Sequence, residues 1–401
     1  MPEQSAIKIM VVDDDTFMIK LLNRILTRFG FKIAASFNGG RTALDWLGTQ
    51  NNLVDLILLD LNMPEMDGVE FVRHLVEQSY AGSLILVSGE DDRMLQTAER
   101  LAQAHKIVTL GYLHKPVEPQ KLEALLRKWT PVALSKPRST QKEYDAEQVS
   151  AAIHGGALVN YYQPKVRVCD AKVIGVEALV RWRHPTDGMV FPDQFIGVAE
   201  AHDLIDDLTR VVFTSAVAQA KAWQMIGLNL RVAVNVSMNN LHALSFADFF
   251  IGQATQMNVA PSNMVLEVTE SQLMRDLRTP LEVLARLRLK RFGLSIDDFG
   301  TGHSSLSQLR DIPFDELKID HSFVHRACID DTLRAMFDSS LHLGKQLGME
   351  VVAEGVEDQA DWDFLRNTEC DLAQGYFIGR PMPAADLPRW IESWHLRMAK
   401  T

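Results

Sequence analysis

Long apolar runs are absent from this sequence. No stretch reaches the roughly 18 apolar residues that a membrane-spanning helix needs. The N-terminal residues, MPEQSAIKIM, lack the charged-then-apolar pattern of a secretory signal. These two absences predict a soluble, cytoplasmic protein.

Cysteine is scarce, and positive charge is not in excess. The three cysteines, Cys169, Cys328 and Cys370, lie far apart and form no CxxC pair. This argues against a disulfide scaffold, and we expect buried thiols in a reducing compartment. The formal net charge of −11 disfavours binding to DNA or to an anionic membrane. An anionic ligand is still compatible with it, because bound metal ions reverse the local charge.

The chain is too long for one ordinary core, since 401 residues predict two or three domains. Residues 7–125 alternate apolar runs (IKIMVV, LILL, LILVS) with amphipathic stretches, which predicts βα units around a parallel sheet. Residues 131–146 lack apolar periodicity and are rich in Pro, Ser and charge. We therefore predict a first domain over 6–128, a linker over 129–146 and a second domain over 147–395.

The βα rhythm restarts after the linker and continues to the end of the chain. Eight strands in about 250 residues predict a (β/α)8 barrel of the TIM type, with an open doubly wound sheet as the alternative. The candidate strands lie near Tyr161–Val166, Val173–Trp182, Leu230–Ser237, Met264–Glu270, Leu294–Phe299, Leu317–Asp320, Val351–Val356 and Leu372–Ile378.

Polar residues stand at the strand ends of the first domain. They are Asp13, Asp14, Asp60, Ser88 and Lys115. Ligands bind at the carboxyl edge of an open parallel sheet, and three carboxylates gathered there favour Mg²⁺. Each aspartate alone is also compatible with a turn or a helix cap.

This first domain resembles the response-regulator receiver domain, which has a doubly wound, flavodoxin-like fold. The motifs are VVDDD, LLDLNMPEMDG, VSG and HKP. The resemblance implies phosphorylation of Asp60 by a sensor histidine kinase. It also implies one Mg²⁺ held by Asp13, Asp14 and Asp60, a phosphate contact by Lys115, a switch hydroxyl on Ser88 and a switch aromatic at Tyr112. The segment from Ser88 to Lys115 is longer than the family pattern, which leaves open a receiver that acts mainly as an interaction module.

The predicted strands of the second domain carry polar residues where buried parallel strands are normally apolar. Several carboxylates at one barrel mouth require cations, and oxygen ligands favour Mg²⁺ or Mn²⁺. Two such ions suit the attack of water on a phosphodiester. The alternative is charges that face solvent or pair with Arg and Lys. The residues are Glu177, Asn235, Glu267, Glu270, Asp297, Asp298, Lys318, Asp320, Glu354 and Gln374.

Over residues 147–395 the chain resembles the EAL-family cyclic di-GMP phosphodiesterases. The motifs are YYQPKV, GVEALVRW, NVS, LEVTE, IDDFGTGHSSL, LKID, VAEGVE and QGYFIGRPM. The resemblance implies hydrolysis of cyclic di-GMP to linear pGpG. It implies metal ligation by Glu177, Asn235, Glu267, Asp297, Asp298, Asp320 and Glu354. It implies catalysis by Glu354 as general base, by Lys318 on the attacking water and by Glu177. Substrate binding is implied for Gln163, Arg181 and Gln374. Glu270 is implied to anchor the loop after the fifth strand.

Three further expectations follow from the resemblance. His303 stands where the family usually has Tyr, and we expect it to face solvent or to pack. No GG(D/E)EF motif is present, so synthesis of the dinucleotide is not expected. A homodimer or higher oligomer is expected by analogy. The alternative function is a non-catalytic protein that binds cyclic di-GMP and signals through a partner.

Overall fold

The computed structural model describes residues 7–49, 54–78, 80–105, 107–129, 144–269, 278–300, 309 and 312–399. The chain divides into two compact units, 1–141 and 142–401, and each is described by itself. Most of the predicted linker lies outside the described residues. Within them, no helix has the length and apolar character needed to cross a bilayer.

The first unit is a five-stranded parallel sheet with the strand order β2-β1-β3-β4-β5. This confirms the doubly wound fold. The strands are β1 (Lys8–Val12), β2 (Lys32–Phe37), β3 (Leu56–Asp60), β4 (Ser83–Ser88) and β5 (Val108–His114). The helices are α1 (Thr16–Arg28), α2 (Gly40–Thr49), α3 (Gly68–Glu77), α4 (Asp92–Ala104) and α5 (Pro119–Leu126).

Two apolar clusters cover the two faces of this sheet. Met10 and Ile57 belong to one cluster, whereas Ile9 and Leu58 belong to the other. Successive side chains of a strand point to opposite faces, so a strand that is apolar throughout needs helices on both sides. The polar residues are thereby confined to the strand ends.

The second unit is a closed barrel flanked by helices, as predicted. The strands are β6 (Leu158–Arg167), β7 (Val173–His184), β8 (Gly188–Val190), β9 (Arg231–Asn235), β10 (Met264–Thr269), β11 (Gly293–Phe299), β12 (Glu316–Ile319), β13 (Glu350–Ala353), β14 (Leu372–Ala373) and β15 (Met382–Pro383). Strand β6 pairs with both β7 and β14 and so closes the barrel. The short strand β8 pairs with β7, and the short strand β15 pairs with β6.

One strand differs from an all-parallel barrel. Strand β6 runs antiparallel to β7 and to β14, whereas β7 and β9 to β14 form a parallel series. Only residues 168–172 separate β6 from β7. A parallel neighbour needs a long crossover, whereas an antiparallel one is reached by a tight turn. The short connection therefore determines the direction of the first strand.

Helices cover the outside of the barrel. They are α6 (Ala146–His154), α7 (Ile196–Ala201), α8 (Ile205–Met225), α9 (Met238–Leu241), α10 (Ser245–Gln256), α11 (Arg278–Leu289), α12 (His321–Val324), α13 (Asp331–Gln346), α14 (Gln359–Leu365) and α15 (Leu387–Met398). Single 3₁₀ turns occur at Pro192–Gln194 and Pro261–Asn263. The long connection from β7 to β9 contains β8, α7 and α8. One apolar cluster, which includes Phe213, Phe250 and Trp362, fills the space between strands and helices.

The cysteines only partly match the expectation of buried thiols. Cys370 is buried, Cys328 is half-buried and Cys169 is exposed. The expectation is wrong for Cys169 because this residue lies in the turn between β6 and β7, where the chain runs over the surface.

Candidate metal and phosphodiester site

Carboxylates from four parallel strands meet at the mouth of the barrel. Glu177, Glu267 and Asp297 each offer an oxygen within 4.8 Å of the other two, and Asp297, Asp298 and Glu354 form a second such group. The register explains the convergence, since Glu267 pairs with Asn235 and Thr269 pairs with Asp297 along the strands. The two acidic clusters share Asp297.

Lys318 lies between these carboxylates. Its Nζ is 2.7 Å from Glu354 Oε1, 2.9 Å from Asp297 Oδ1 and 3.1 Å from Glu267 Oε2. The side chain is buried, and these neighbours raise the pKa of Lys318 against the opposing effect of burial. The ammonium therefore stays charged and partly offsets the negative charge around it.

The pKa shifts show which carboxylates lysine neutralises and which it does not. Burial alone would raise the pKa of Glu267, but Lys165 and Lys318 together lower it to about 2. Burial followed by the charges of Asp297 and Asp320 raises the pKa of Asp298 to about 6. Burial also raises the pKa of Glu354, and Lys318 only partly opposes this.

These carboxylates fit the needs of hard divalent cations. The donors are oxygens, and Asn235 can add an amide oxygen because its Nδ2 donates to Glu177 Oε1 at 2.7 Å. Oxygen ligands of this kind suit Mg²⁺ and Mn²⁺. The two lysines, Lys165 and Lys318, are fewer than the carboxylates that surround them, which leaves negative charge for a cation to offset. The residues present therefore fit metal binding at the mouth.

Gln374, directly after β14, orients Glu177, and Gln163 on β6 in turn contacts Gln374. Gln374 Nε2 donates to Glu177 Oε2 at 2.6 Å and to Gln163 Oε1 at 3.1 Å. Gln163 Nε2 donates to the carbonyl of Gly379 at 3.1 Å. Gln374 Oε1 is buried and has no hydrogen-bond partner among the described residues. Both glutamines thus lie beside the acidic centre, in contact with Glu177 or with each other.

Asp320 lies near the mouth but belongs to neither acidic cluster. Its Oδ1 accepts from Ser322 N at 2.9 Å and so caps α12, and its Oδ2 lies 3.0 Å from His321 Nδ1. These contacts lower the pKa of Asp320 in spite of burial. Its charge nevertheless acts on the mouth, since it raises the pKa of Asp298.

A cavity of about 400 Å³ opens above the carboxylates. Lys318, Gln374 and Tyr376 are among its lining residues. Tyr376 is 55% exposed, and the guanidinium of Arg380 lies 4.4 Å from the centre of its ring.

Arg181 forms a similar pair with an aromatic ring. Its guanidinium lies 5.0 Å from the ring centre of Phe191, which is 49% exposed. Its Nη1 donates to the carbonyl of Val180 at 2.8 Å, and burial lowers the pKa of Arg181. Arg181 lies four positions beyond Glu177 on β7, so both side chains are on the same face of the strand.

A buried polar layer below the mouth contains three residues that the sequence reasoning missed. Lys165 Nζ contacts Glu267 Oε1 at 2.6 Å and Glu316 Oε1 at 2.9 Å. Ser295 Oγ donates to Glu316 Oε1 at 2.9 Å. The available signal was charge inside an apolar strand: Glu316 precedes Lys318 by two positions and must share its face.

The first unit has its own acidic site at the carboxyl edge of the sheet. Asp13, Asp14 and Asp60 each offer an oxygen within 4.8 Å of the others. Lys115 Nζ is 2.9 Å from Asp13 Oδ2 and 2.8 Å from Asp60 Oδ2. Burial raises the pKa of Asp60, and the hydrogen bond from Lys115 opposes that rise.

Ser88 and Tyr112 lie on the two strands that flank this edge. Ser88 ends β4 and is fully buried, and its Oγ accepts from the backbone N–H of Glu90 at 3.2 Å. The backbone N–H of Lys115 donates to the carbonyl of Ser88 at 2.8 Å. Tyr112 is half-buried on β5, with its ring edge-to-face against His114.

Two residues singled out in the sequence cannot be assigned a position. Glu270 and His303 lie outside the described residues.

A further group of possible ligands, His325, Asp358 and Asp361, shares no residue with the acidic clusters at the mouth. Asp361 Oδ2 accepts from the backbone of Glu357 at 3.0 Å and lies 2.9 Å from His325 Nδ1, while its Oδ1 accepts from the backbone of Arg326 at 3.0 Å. Asp358 caps α14. These contacts hold two loops together and account for the group without a cation.

Comparisons with known proteins identify the family of each unit. The family model of the EAL domain matches residues 146–381, and that of the response regulator receiver domain matches residues 9–127. Cyclic di-GMP phosphodiesterase RocR of Pseudomonas aeruginosa is 33% identical over 333 residues, which cover 82% of this chain and 85% of RocR. Cyclic di-GMP phosphodiesterase NbdA of the same organism is 39% identical over 263 residues, which cover 65% of this chain but only 34% of NbdA.

Solved structures confirm the fold of the second unit. The PaMucR phosphodiesterase in complex with c-di-GMP matches with a TM-score of 0.57 and 39% identity, over 60% of this chain and 98% of that chain. An EAL domain protein from Listeria monocytogenes EGD-e matches with a TM-score of 0.55 and 27% identity, over 62% of this chain and 97% of that chain. The chain therefore belongs to the EAL domain family and carries a response regulator receiver domain ahead of its EAL domain.

Proposed function

We propose that this protein hydrolyses cyclic di-GMP to linear pGpG at the mouth of the barrel, with two Mg²⁺ or Mn²⁺ ions. The observation that carries the proposal is the pair of acidic clusters that share Asp297. Asp297, as the residue common to both clusters, would contribute to both cation sites. Glu177, Glu267 and Asn235 would complete one site, and Asp298 and Glu354 the other, with Asp320 near the water shell.

The cations would supply an activated water and charge stabilisation for the leaving oxygen. Glu354 acts as general base in this proposal, because its carboxylate lies in the second acidic cluster beside Lys318, where the attacking water would be held. Lys318, whose Nζ lies 2.7 Å from Glu354, holds the attacking water and the negative charge that develops beside it. Glu177 is held in a single orientation by Asn235 and Gln374.

Exposed aromatic rings support a substrate with flat bases. Tyr376 lines the cavity above the carboxylates, and Phe191 lies beside Arg181 of β7. Each ring has a guanidinium over one face, and bases stack on such surfaces. Gln374 Oε1, which lacks a partner among the described residues, can accept from the dinucleotide, and Gln163 would help to position it. RocR and NbdA are named as cyclic di-GMP phosphodiesterases, and the PaMucR structure is a complex with c-di-GMP.

A turnover assay with the full chain tests this proposal. Purified protein is mixed with cyclic di-GMP and Mg²⁺ or Mn²⁺, and pGpG is quantified by chromatography. We expect pGpG from the parent and from the surface control Glu392→Ala, and none above background from Glu177→Ala. Binding without turnover by the parent in either metal would overturn the proposal and support a non-catalytic cyclic di-GMP-binding protein.

We further propose that the receiver, residues 6–128, controls the EAL domain, residues 147–395, through phosphorylation of Asp60 by a histidine kinase. Support comes from Lys115, whose Nζ joins Asp13 and Asp60, beside three carboxylates suited to one Mg²⁺. In this proposal Ser88 and Tyr112 would respond to a phosphoryl group on Asp60. The test compares pGpG formation with and without beryllofluoride in the parent, Asp60→Asn and the exposed control Asp45→Asn. The parent and Asp45→Asn should respond alike and Asp60→Asn should not, whereas equal rates throughout would exclude phospho-control.

The assembly is also part of this proposal. By family analogy we propose a homodimer or higher oligomer. Light scattering coupled to size-exclusion chromatography tests it, and a monomer at all protein concentrations would contradict it.

A further inference from the structure

Lys165 is a second lysine inside the barrel, one layer below the proposed metal site. It lies on β6, where it pairs with Gly175, two positions before Glu177 on β7. Its side chain is buried, with 4% of the residue exposed. Placing a lysine there is costly unless its charge is compensated, so its partners determine its role.

Those partners are Glu267, a predicted metal ligand, and Glu316, which is in neither acidic cluster of the described residues. Lys165 Nζ is 2.6 Å from Glu267 Oε1 and 2.9 Å from Glu316 Oε1. Glu316 is itself held by Ser295 Oγ at 2.9 Å. Because Glu316 carries one negative charge and Lys165 one positive charge, the two together add no net charge to the barrel interior.

Glu267 is consequently held at both oxygens. Lys165 contacts Oε1 from below, and Lys318 contacts Oε2 from the mouth at 3.1 Å. A carboxylate that rests on one fixed cation has a defined rotamer and presents its second oxygen in a defined direction. Partners of this kind orient metal ligands and tune them.

We propose that Lys165 is a positioning residue for the metal centre, which fixes Glu267 so that Oε2 faces the mouth, and that Glu316 and Ser295 hold Lys165 for this task. The inference rests on the proposed function, because it requires cations at the mouth. A purely structural role for Lys165, balancing the charge of Glu316, makes a different prediction. In that case, removing both charges together would leave metal binding intact.

The test removes the pair without changing the net charge. In Lys165→Met/Glu316→Gln the lost positive and negative charges cancel, so a change in metal affinity reports the geometry of Glu267. The matched control is Arg231→Met/Glu350→Gln, which removes the 2.6 Å ion pair between the first residues of β9 and β13. Both pairs bridge strands, but only the first contacts a predicted ligand.

Mn²⁺ binding is measured by calorimetry on the full chain. All proteins carry Asp13→Asn and Asp14→Asn, so that the receiver carboxylates do not contribute. We expect Mn²⁺ affinity to fall about 10-fold or more in Lys165→Met/Glu316→Gln and to stay at the parental value in the control pair. Urea unfolding of each variant checks that it is folded. A control pair that loses stability but keeps its Mn²⁺ affinity would show that lower stability alone does not weaken metal binding.

Two outcomes overturn the inference. Equal Mn²⁺ affinity in the parent and Lys165→Met/Glu316→Gln would leave Lys165 a purely structural role, while the proposed function would stand. Absence of Mn²⁺ binding by the parent would instead remove the proposed function and the inference with it. Should the methionine variant fail to fold, Lys165→Leu/Glu316→Gln replaces it. Leucine has no donor for Glu267, so an affinity equal to that of the parent would again overturn the inference.

Discussion

The Nζ of Lys318 lies 2.7 Å from Glu354 Oε1, and the same nitrogen lies 2.9 Å from Asp297 Oδ1. Asp297 belongs to both acidic clusters, so Lys318 contacts the residue they share and the proposed general base at once. Burial makes these contacts strong, because the local dielectric is low and water does not compete.

Replacing this lysine should abolish turnover without preventing folding. We expect Lys318→Met to lower kcat at least about 100-fold, since a buried charge that stabilises the developing anion is lost. The matched control is Lys345→Met, which removes the partly buried ion pair with Asp371. Rates of pGpG formation check this, and a decrease of less than 10-fold, or an equal decrease in the control, would contradict it.

Gly355, directly after Glu354, should not tolerate a side chain. Its φ is 68°, and a Cβ there would lie 2.2 Å from the Cβ of His321. We expect Gly355→Ala to lower the free energy of unfolding by about 2 kcal/mol or more, from backbone strain plus the clash, and to reduce kcat because Glu354 is displaced.

The control for this change is Gly156→Ala. Gly156 has a similar φ of 70°, but a Cβ there would meet no atom within 4 Å. Its cost should be limited to about 1 kcal/mol of backbone strain, with activity retained. Urea unfolding and the turnover assay measure both variants. Similar losses of activity in the two would show that the clash is not responsible.

The raised pKa of Asp298 predicts a pH-dependent stability of the metal-free protein. Burial and the charges of Asp297 and Asp320 raise this pKa to about 6, above the value of about 3.9 for an unfolded chain. Between about pH 4 and pH 6 the folded state therefore binds more protons than the unfolded state, and the contribution of Asp298 to stability falls as pH rises.

In Asp298→Asn this fall in stability with rising pH should be absent. We compare the free energy of unfolding of Asp298→Asn with that of the parent in a chelating buffer. The value for the variant relative to the parent should increase from about pH 4 to about pH 6 and then level off. Urea unfolding at several pH values measures the difference. A difference that stays constant across this range would contradict the prediction.

Lys115 should be needed for efficient phosphorylation of Asp60. Its Nζ lies 2.8 Å from Asp60 Oδ2 and opposes the rise in the pKa of Asp60 that burial causes. Without it, an oxygen of the phosphoryl group on Asp60 loses a charged hydrogen-bond donor. Lys115→Ala should therefore slow phosphorylation by acetyl phosphate about 10-fold or more.

Intact-mass spectrometry of the full chain follows this reaction. Lys121→Ala is the control, because Lys121 is exposed and pairs only with Glu118 among the described carboxylates. Equal rates in Lys115→Ala and the parent would show that Lys115 is not required.

The βα rhythm of the sequence was enough to predict both folds. Polar residues at strand ends predicted the residues around each site, but not the buried layer of Lys165, Ser295 and Glu316. Apolar runs in βα rhythm require parallel sheets covered by helices, and polar residues at the ends of such strands meet at one edge. Asp60 could be selected in this way because it ends a strand that is otherwise apolar, and Asp297 because an acidic residue is unusual in a buried parallel strand. These are local patterns, which depend on the two-residue period of a strand.

Tertiary structure alone decided how those side chains pair. Asp320 caps α12, Gln374 reaches Glu177 across 197 positions, and Lys165 joins Glu267 to Glu316 on three different strands. The antiparallel direction of β6 was also seen only in the structure. It places Gln163 opposite Glu177 and Lys165 opposite Gly175 on β7. Such contacts depend on the radial position and depth of each side chain inside a closed barrel, which strand periodicity does not specify.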